Sequence, residues 1–537
     1  MFNKKVFIYD TTLRDGAQGE GISFSDSGKI HFAHLLDDFG VDYIEGGFAS
    51  SNPRDQRFFA DIKGESLGHA KIVAFGSTRR ADLDAAKDPQ LAALLAVGTE
   101  HVTIYGKTSP FQVAEVLRTT LENNLQIIAD TVGFLHERHG RVVFFDAEHF
   151  FDGYKEDAAY ALHVLRTAQD AGAETLILCD TNGGTLPHEV FAITEAVRVA
   201  LSRPVVTLGI HAHNDGGLGV ANSLEAVRAG VRHVQGTING YGERTGNADL
   251  VSIIPALELK LAYKTVGKDK LKQLRSLAAQ TADFVNQTLD KRQPYVGLNA
   301  FCHKAGAHVN AVSKNPRSFE HIEPEQVGNQ RHVLVSELSG VSNVQMKARE
   351  LGVDLEAVGL EKLRQILGML KVREDQGFSY ESAEGSFKLF LRKALSGGIP
   401  PFTLEGFRVF VEKRGPEEPC LSEATVKINF SGKSALTVGE GRGPIEALNA
   451  ALCAALAKFH PEIANVKLTD YRVRILNPEA ATCALTRVLI ESGDGVSQWS
   501  TVGVSENIIE ASWQALLDSM ELKLYDVCSH ERKSVEG

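Results

Sequence analysis

The sequence predicts an α/β protein: a TIM-type (β/α)8 barrel, then a helical linker region, then a C-terminal α+β regulatory domain with an internal repeat. Three observations carry this. Eight short, apolar, β-rich runs alternate with segments of helical period through the first half of the chain. Motifs rich in acidic, histidine and glycine residues follow those runs, always on the same side. Two stretches near the C-terminus match one another at an offset of 64 residues.

The eight runs are "VFIY" (6–9), "DYIE" (42–45), "KIVAF" (71–75), "HVTIY" (101–105), "RVVFF" (141–145), "TLILC" (175–179), "TLGIH" (207–211) and "HVQGT" (233–237). Their near-continuous apolar character suits parallel strands covered on both faces. The intervening segments carry helix signatures. Between the first two runs, Ser25 or Asp26 can cap, Phe32, Leu35, Leu36 and Phe39 form one stripe, and Gly40 ends it. Eight such repeats have the size and rhythm of a closed barrel. An open doubly wound sheet is the alternative, but no GxGxxG follows the first strand.

Past the barrel, "KTVGKDKLKQLRSLAAQTADFVNQ" (264–287) reads as helix, with Leu271, Leu274, Ala278 and Val285 roughly on one side, and is expected to leave the barrel. Residues 291–345 are rich in Gly, Asn, Pro and His, 346–395 return to helical pattern, and "SGGIPPF" (396–402) has linker composition. The expected division is 1–270, 271–400 and 401–537. In the last part, "TVGEGRGPIEALNAAL" (437–452) aligns with "TVGVSENIIEASWQAL" (501–516). Each copy reads as strand end, small-residue turn and helix, with Glu446 or Glu510 in the first turns and strands such as "ATVKINF" (424–430) before it. A helix start behind a glycine loop can take an anion such as an amino-acid carboxylate. A duplicated dimerisation module without a ligand is the competing reading.

Composition excludes other classes. With 57 Lys and Arg against 68 Asp and Glu, and a net charge of −11, there is no basic footprint for nucleic acid or an anionic membrane. No run has the length of a membrane span, and "MFNKKVFIYD" turns polar too soon for a signal peptide. A cytoplasmic protein acting on small molecules is expected. The six cysteines lie far apart without CxxC, so they are expected reduced and mostly buried, with neither a disulfide framework nor a thiolate zinc cluster.

The chemistry centres on "HAHNDGG" (211–217). One residue separates His211 from His213 at a strand end, so both imidazoles point to the same side, into the barrel mouth. A histidine pair alone is as often a polar cluster as a metal site. Asp15, after the first strand, and Asn247, after the last, raise the odds, because first and last strands adjoin in a closed barrel. Two nitrogen and two oxygen ligands with room for two more suit Mg²⁺, Mn²⁺, Co²⁺ or Zn²⁺. Arg14 can address an oxyanion beside that ion. It can equally pair with Glu45, and Glu45 could orient it for the first role. Glu148 is a mouth carboxylate suited to acid–base work or positioning. Thr181 can donate to a substrate carboxylate.

The motifs "YDTTLRDGAQGEG", "DAEHFFDGYK", "DTNGGTLP", "HAHNDGGLGVANS" and "NGYGERTGNADL" resemble those of the isopropylmalate, homocitrate and citramalate synthases, metal-dependent acyl-CoA condensing barrels, and most closely the citramalate branch. The resemblance extends to "CHKAGAHVNAV" (302–312), "ELSGVSN" (337–343) and the terminal repeat, which is similar to the family's amino-acid-binding regulatory domain. It implies that acetyl-CoA and a 2-oxo acid condense, with thioester hydrolysis following. For the citramalate branch the acid is pyruvate, the product (R)-citramalate on the way to isoleucine. It assigns the metal to Asp15, His211, His213 and Asn247, an oxyanion to Arg14, the substrate carboxylate to Thr181, and positioning or protonation to Glu148. It names His308, from the partner subunit of a homodimer, as the base that takes a methyl proton, with His303 a rival. It also implies feedback by an amino acid, isoleucine or leucine. Phe48, Ala49 and Ser50, then Asn310 and Phe319, depart from the pattern of that branch and bear on pocket size and on any helper to His308. Preference for another 2-oxo acid, a carbon–carbon lyase on the same barrel, and a non-catalytic amino-acid sensor are the competing readings.

Overall fold

The protein is described by a computed structural model covering residues 5–536 except positions 49, 51, 202–205, 334–340, 356–357, 381–382 and 397–399. Ala49, most of "ELSGVSN" and the centre of "SGGIPPF" therefore lie outside the described residues. The chain forms two compact units, one of residues 1–301 with 321–331, the other of 302–320 with 332–537.

The first unit is the expected barrel. Its strands are β1 (Phe7–Asp10), β2 (Tyr43–Phe48), β3 (Lys71–Ser77), β4 (His101–Lys107), β5 (Val142–Glu148), β6 (Thr175–Asp180), β7 (Thr207–Ala212) and β8 (His233–Gly236). All pair in parallel in chain order, and β8 closes on β1, with Tyr9 opposite Gln235. Helices α1 (Asp26–Phe39), α2 (Pro53–Ile62), α3 (Pro89–Ala96), α4 (Leu121–Gly133), α5 (Phe150–Glu156), α6 (Ala158–Asp170), α7 (Pro187–Ala200), α8 (Gly219–Ala229) and α9 (Leu250–Pro255) connect or follow the strands. At α1 the Ser25 side chain accepts from the Gly28 N–H, and Gly40 ends the helix at φ 94°, a left-handed geometry that glycine reaches without strain.

After α9 come α10 (Lys268–Leu271) and α11 (Leu274–Phe284). Here the structure corrects the sequence reading, which had this segment leaving the barrel. Leu271, Leu274 and Ala278 are fully buried in the barrel's outer core, and the Phe284 ring lies 6.2 Å from that of Phe32 on α1. The apolar stripe was real; its partner is α1.

Strand alternation sorts the barrel side chains into layers. Ile8, Ile44, Val102, Val143, Leu176 and Val234 face the helices, whereas Tyr9, Val73, Phe144, Ile177 and Cys179 form an inner cluster. Towards the strand ends the buried set turns polar: Thr11, Glu45, Thr103, Asp146, His211 and Gln235. That polar floor carries the site.

In the second unit, β9 (Cys302–His303) pairs in parallel with β10 (His332–Val333), beside α12 (Gly306–Lys314), α13 (Val341–Glu350), α14 (Leu360–Asp375) and α15 (Glu384–Ser396). Strands β11 (Thr403–Glu412), β12 (Leu421–Phe430) and β13 (Lys433–Gly441) make an antiparallel sheet followed by α16 (Pro444–Leu456). Strands β14 (Lys467–Ile475), β15 (Thr486–Gly493) and β16 (Gln498–Ser505) repeat the arrangement before α17 (Ile508–Glu536). The sequence repeat is thus a structural one. In each copy the strand threonine donates its hydroxyl to a helix carbonyl, Thr437 to Ala451 and Thr501 to Ala515, both at 2.7 Å. Gly439 and Gly503 let helix backbone approach so closely that a Cβ at either would strike it.

Cys179, Cys302, Cys420, Cys453 and Cys483 are all free, as expected. Of these only Cys179 is buried, and Cys420 and Cys483 are exposed, against the expectation that most would be buried. Among the described residues no helix is long and apolar enough to cross a membrane.

Candidate metal centre and active site

Asp15, His211 and His213 converge at the barrel mouth, all three buried, with one ligand atom from each lying within 4.8 Å of the others. His211 Nε2 stands 3.3 Å from Asp15 Oδ2 and 3.2 Å from His213 Nε2. The turn after β1 supplies Asp15; the end of β7 and the residue after it supply the histidines. Asn247 is brought to the same place by the backbone, since its residue forms a bridge to His213. Its Nδ2 donates to the Tyr241 carbonyl at 3.1 Å, leaving Oδ1 buried without a hydrogen-bond partner. An orphaned buried oxygen costs stability unless something else satisfies it, and it fits a cation beside a carboxylate and two imidazoles. Gly242, at φ 154°, makes this possible, because a Cβ there would strike the Asn247 amide.

The charges agree. Burial alone would raise Asp15, but the Arg14 guanidinium and the hydrogen bond from His211 hold it well below the ordinary carboxylate range. Burial disfavours a charged His211, yet Asp15 raises it overall. His213, buried and facing His211, is pushed down to about 4. Asp15 is thus held ionised and His213 unprotonated, the forms in which both can ligate a divalent ion.

Arg14 makes the pairing expected with Glu45. Its Nε donates to Glu45 Oε2 at 2.6 Å, Nη1 lies 3.3 Å from Asp15, and the guanidinium sits 3.8 Å over the Phe75 ring. Burial opposes its charge, but Glu45 and Asp15 more than compensate. Fully buried Glu45 is itself fixed, accepting from Tyr9 at 2.6 Å and from the Thr11 hydroxyl. Thr103 donates in turn to Tyr9.

On the opposite wall, Glu148 at the end of β5 pairs with Lys107 at 2.5 Å. The Thr181 hydroxyl oxygen accepts from the His149 N–H at 2.8 Å, which leaves its own proton to donate. His308 and His303 belong to the second unit. His308 is exposed near the start of α12, its ring 4.2 Å from that of Phe319. His303 Nε2 lies 3.1 Å from Glu320.

Sequence reasoning missed the floor beneath these groups: Tyr9, Thr11, Thr103, Lys107, Asp146 and Gln235. The signal was present as polar residues at inward positions of otherwise apolar strands, such as Asp146 in "VVFFDAE" and Gln235 in "HVQG".

Comparison with known proteins agrees along the whole chain. Residues 5–279 match the HMGL-like family, 295–377 the homocitrate synthase post-HMGL domain-like family, and 381–524 the LeuA allosteric (dimerisation) domain. An (R)-citramalate synthase of Geobacter sulfurreducens is 50% identical across 99% of this chain and 99% of its own. One from Aquifex aeolicus is 49% identical across 97% and 98%. A 2-isopropylmalate synthase of Methanocaldococcus jannaschii is 29% identical across 96% and 94%. With motifs, barrel and terminal repeat all accounted for, the chain belongs to the HMGL-like family and, within it, to the (R)-citramalate synthases.

Proposed function

We propose that this protein condenses acetyl-CoA with pyruvate and hydrolyses the thioester, releasing (R)-citramalate and CoA. It is an acyltransferase whose acyl group becomes alkyl on transfer. The carrying observation is the cluster of Asp15, His211 and His213 beside the Arg14–Glu45 pair, in a chain similar to (R)-citramalate synthases from end to end.

Asp15, His211, His213 and Asn247 would hold a divalent ion, Mg²⁺, Mn²⁺, Co²⁺ or Zn²⁺, which supplies Lewis acidity towards the keto and carboxylate oxygens of pyruvate. Thr181 donates to that carboxylate. Arg14, held by Glu45, donates to the oxygen on which negative charge develops. The imidazole of His308 of the partner subunit takes a proton from the acetyl methyl; the resulting carbanion forms the new C–C bond at the keto carbon, whose oxygen becomes a hydroxyl. Glu148, beside Lys107, positions a reactant or returns the proton. Water then breaks the C–S bond to give carboxylate and thiol. Support for His308 over His303 comes from its exposure and from having no hydrogen-bond partner among the described residues, whereas His303 is engaged by Glu320. The three functional parts are a barrel that carries α10 and α11 with it, a His-bearing linker, and a regulatory domain from about residue 401. The terminal repeat takes an amino-acid effector, isoleucine or leucine, and the working form is a cytoplasmic homodimer.

Release of CoA thiol from acetyl-CoA is the test, with a panel of 2-oxo acids and each of the four ions. Pyruvate is expected to be the fastest acceptor. A preference for 2-oxoisovalerate or 2-oxoglutarate would make the protein an isopropylmalate or homocitrate synthase. Cleavage of a 3-hydroxyacyl-CoA without any condensation would make it a lyase.

A further inference from the structure

Beneath the ligand cluster lies a buried chain of three side chains from three strands. Gln235 on β8 is fully buried and sits between His211 on β7, its register neighbour, and Asp146 on β5 across the barrel. Its Nε2 donates to Asp146 Oδ1 at 3.0 Å. Its Oε1 lies 2.8 Å from His211 Nδ1.

The two ends of the amide are not equivalent. A carboxylate oxygen accepts, so Asp146 draws the NH2 of Gln235 towards itself and leaves the carbonyl oxygen facing His211. Against a carbonyl, His211 Nδ1 must carry the proton. In the neutral ring the lone pair then falls on Nε2, the nitrogen aimed at Asp15 and His213. Turning the amide over would place NH2 against Nδ1, force the proton onto Nε2 and block that nitrogen as a ligand.

We infer that Gln235, oriented by Asp146, is a positioning residue that fixes the His211 tautomer so that Nε2 is available to a divalent cation. Hydrogen bonds of this kind beyond a metal's own ligands commonly contribute 10–100-fold in affinity. Burial suits the device: Asp146 and Gln235 are both buried, which shields the hydrogen bond between them from competing water. The inference rests on the metal reading of Asp15, His211 and His213, and the experiment separates the two.

Mn²⁺ is titrated calorimetrically into metal-stripped, full-length protein. Q235M, near in size but without an acceptor, is expected to weaken Mn²⁺ by about 10–100-fold, and Q235E, which restores an acceptor oxygen, to stay within about tenfold of the native protein. H211A is expected to abolish binding. Native-like affinity in Q235M, with H211A inactive, overturns the role of Gln235 and leaves the metal site standing. Native-like Mn²⁺ binding in H211A overturns the metal reading itself. Thermal melts of the stripped proteins show which variants are folded. Should Q235M prove unfolded, Q235E decides: retained affinity supports the inference, and affinity lost from a folded Q235E overturns it.

Discussion

Arg14 shows how much one side chain is asked to hold: Glu45 through Nε, Asp15 beside Nη1, and the Phe75 face beneath. A lysine keeps the charge but not the planar fork. R14K is therefore expected to lower kcat by about 10²–10³-fold with a much smaller change in KM, measured by steady-state kinetics with pyruvate. His233 makes a different kind of prediction. Its imidazole is buried among Tyr9, Tyr43 and Phe144, with no charged partner among the described residues, and burial pushes it down from 6.5 to about 3. Between those values the unfolded chain binds a proton that the folded chain refuses. The ring's contribution is complete above about pH 6.5 and is lost as pH falls, by up to about 1.4 kcal/mol per pH unit. H233F is expected to flatten the acid limb of stability, read as urea midpoints from pH 7.5 to 4.5 against the native protein.

Between elements, the buried pair of Lys29 on α1 and Asp55 on α2 ties two strand ends together. Lys29 donates to Asp55 at 2.7 Å and to the Leu13 carbonyl, while Asp55 accepts from the Phe48 N–H at 2.9 Å. K29M strands a buried carboxylate and is expected to cost about 3–5 kcal/mol, and K29M/D55N markedly less, by denaturant unfolding. This pair also marks what a sequence makes legible. All eight strands could be read because apolar runs in a parallel sheet declare themselves, and the grouping of Asp15, His211 and His213 because those residues sit in polar, glycine-bearing motifs at strand ends. Lys29 and Asp55 look like ordinary helix-surface charges until the fold buries them. Gln235 and Asp146 needed the register of closure to be seen as partners. The destination of α11 was illegible for the same reason: an apolar stripe says that something covers it, not what.

Across the whole molecule, the chain leaves the first compact unit at 302 and returns to it for residues 321–331. The returning segment brings buried Asn329, whose Nδ2 donates to the Tyr295 and Gly297 carbonyls at 2.9 and 3.0 Å. A form ending at Phe301 is expected to melt at least about 5 °C below one ending at Arg331, in thermal unfolding followed by circular dichroism. Closure of β8 onto β1 has a temporal consequence as well. During synthesis, Asp15 emerges from the ribosome more than two hundred residues ahead of Asn247. A nascent polypeptide thus carries a carboxylate with nowhere to deliver a captured ion until its eighth strand is made. If Asp15 and Asn247 share a cation as proposed, loading would wait for the end of barrel translation, and an arrested chain stopped short of that point is expected to hold the ion no better than a loose acidic loop.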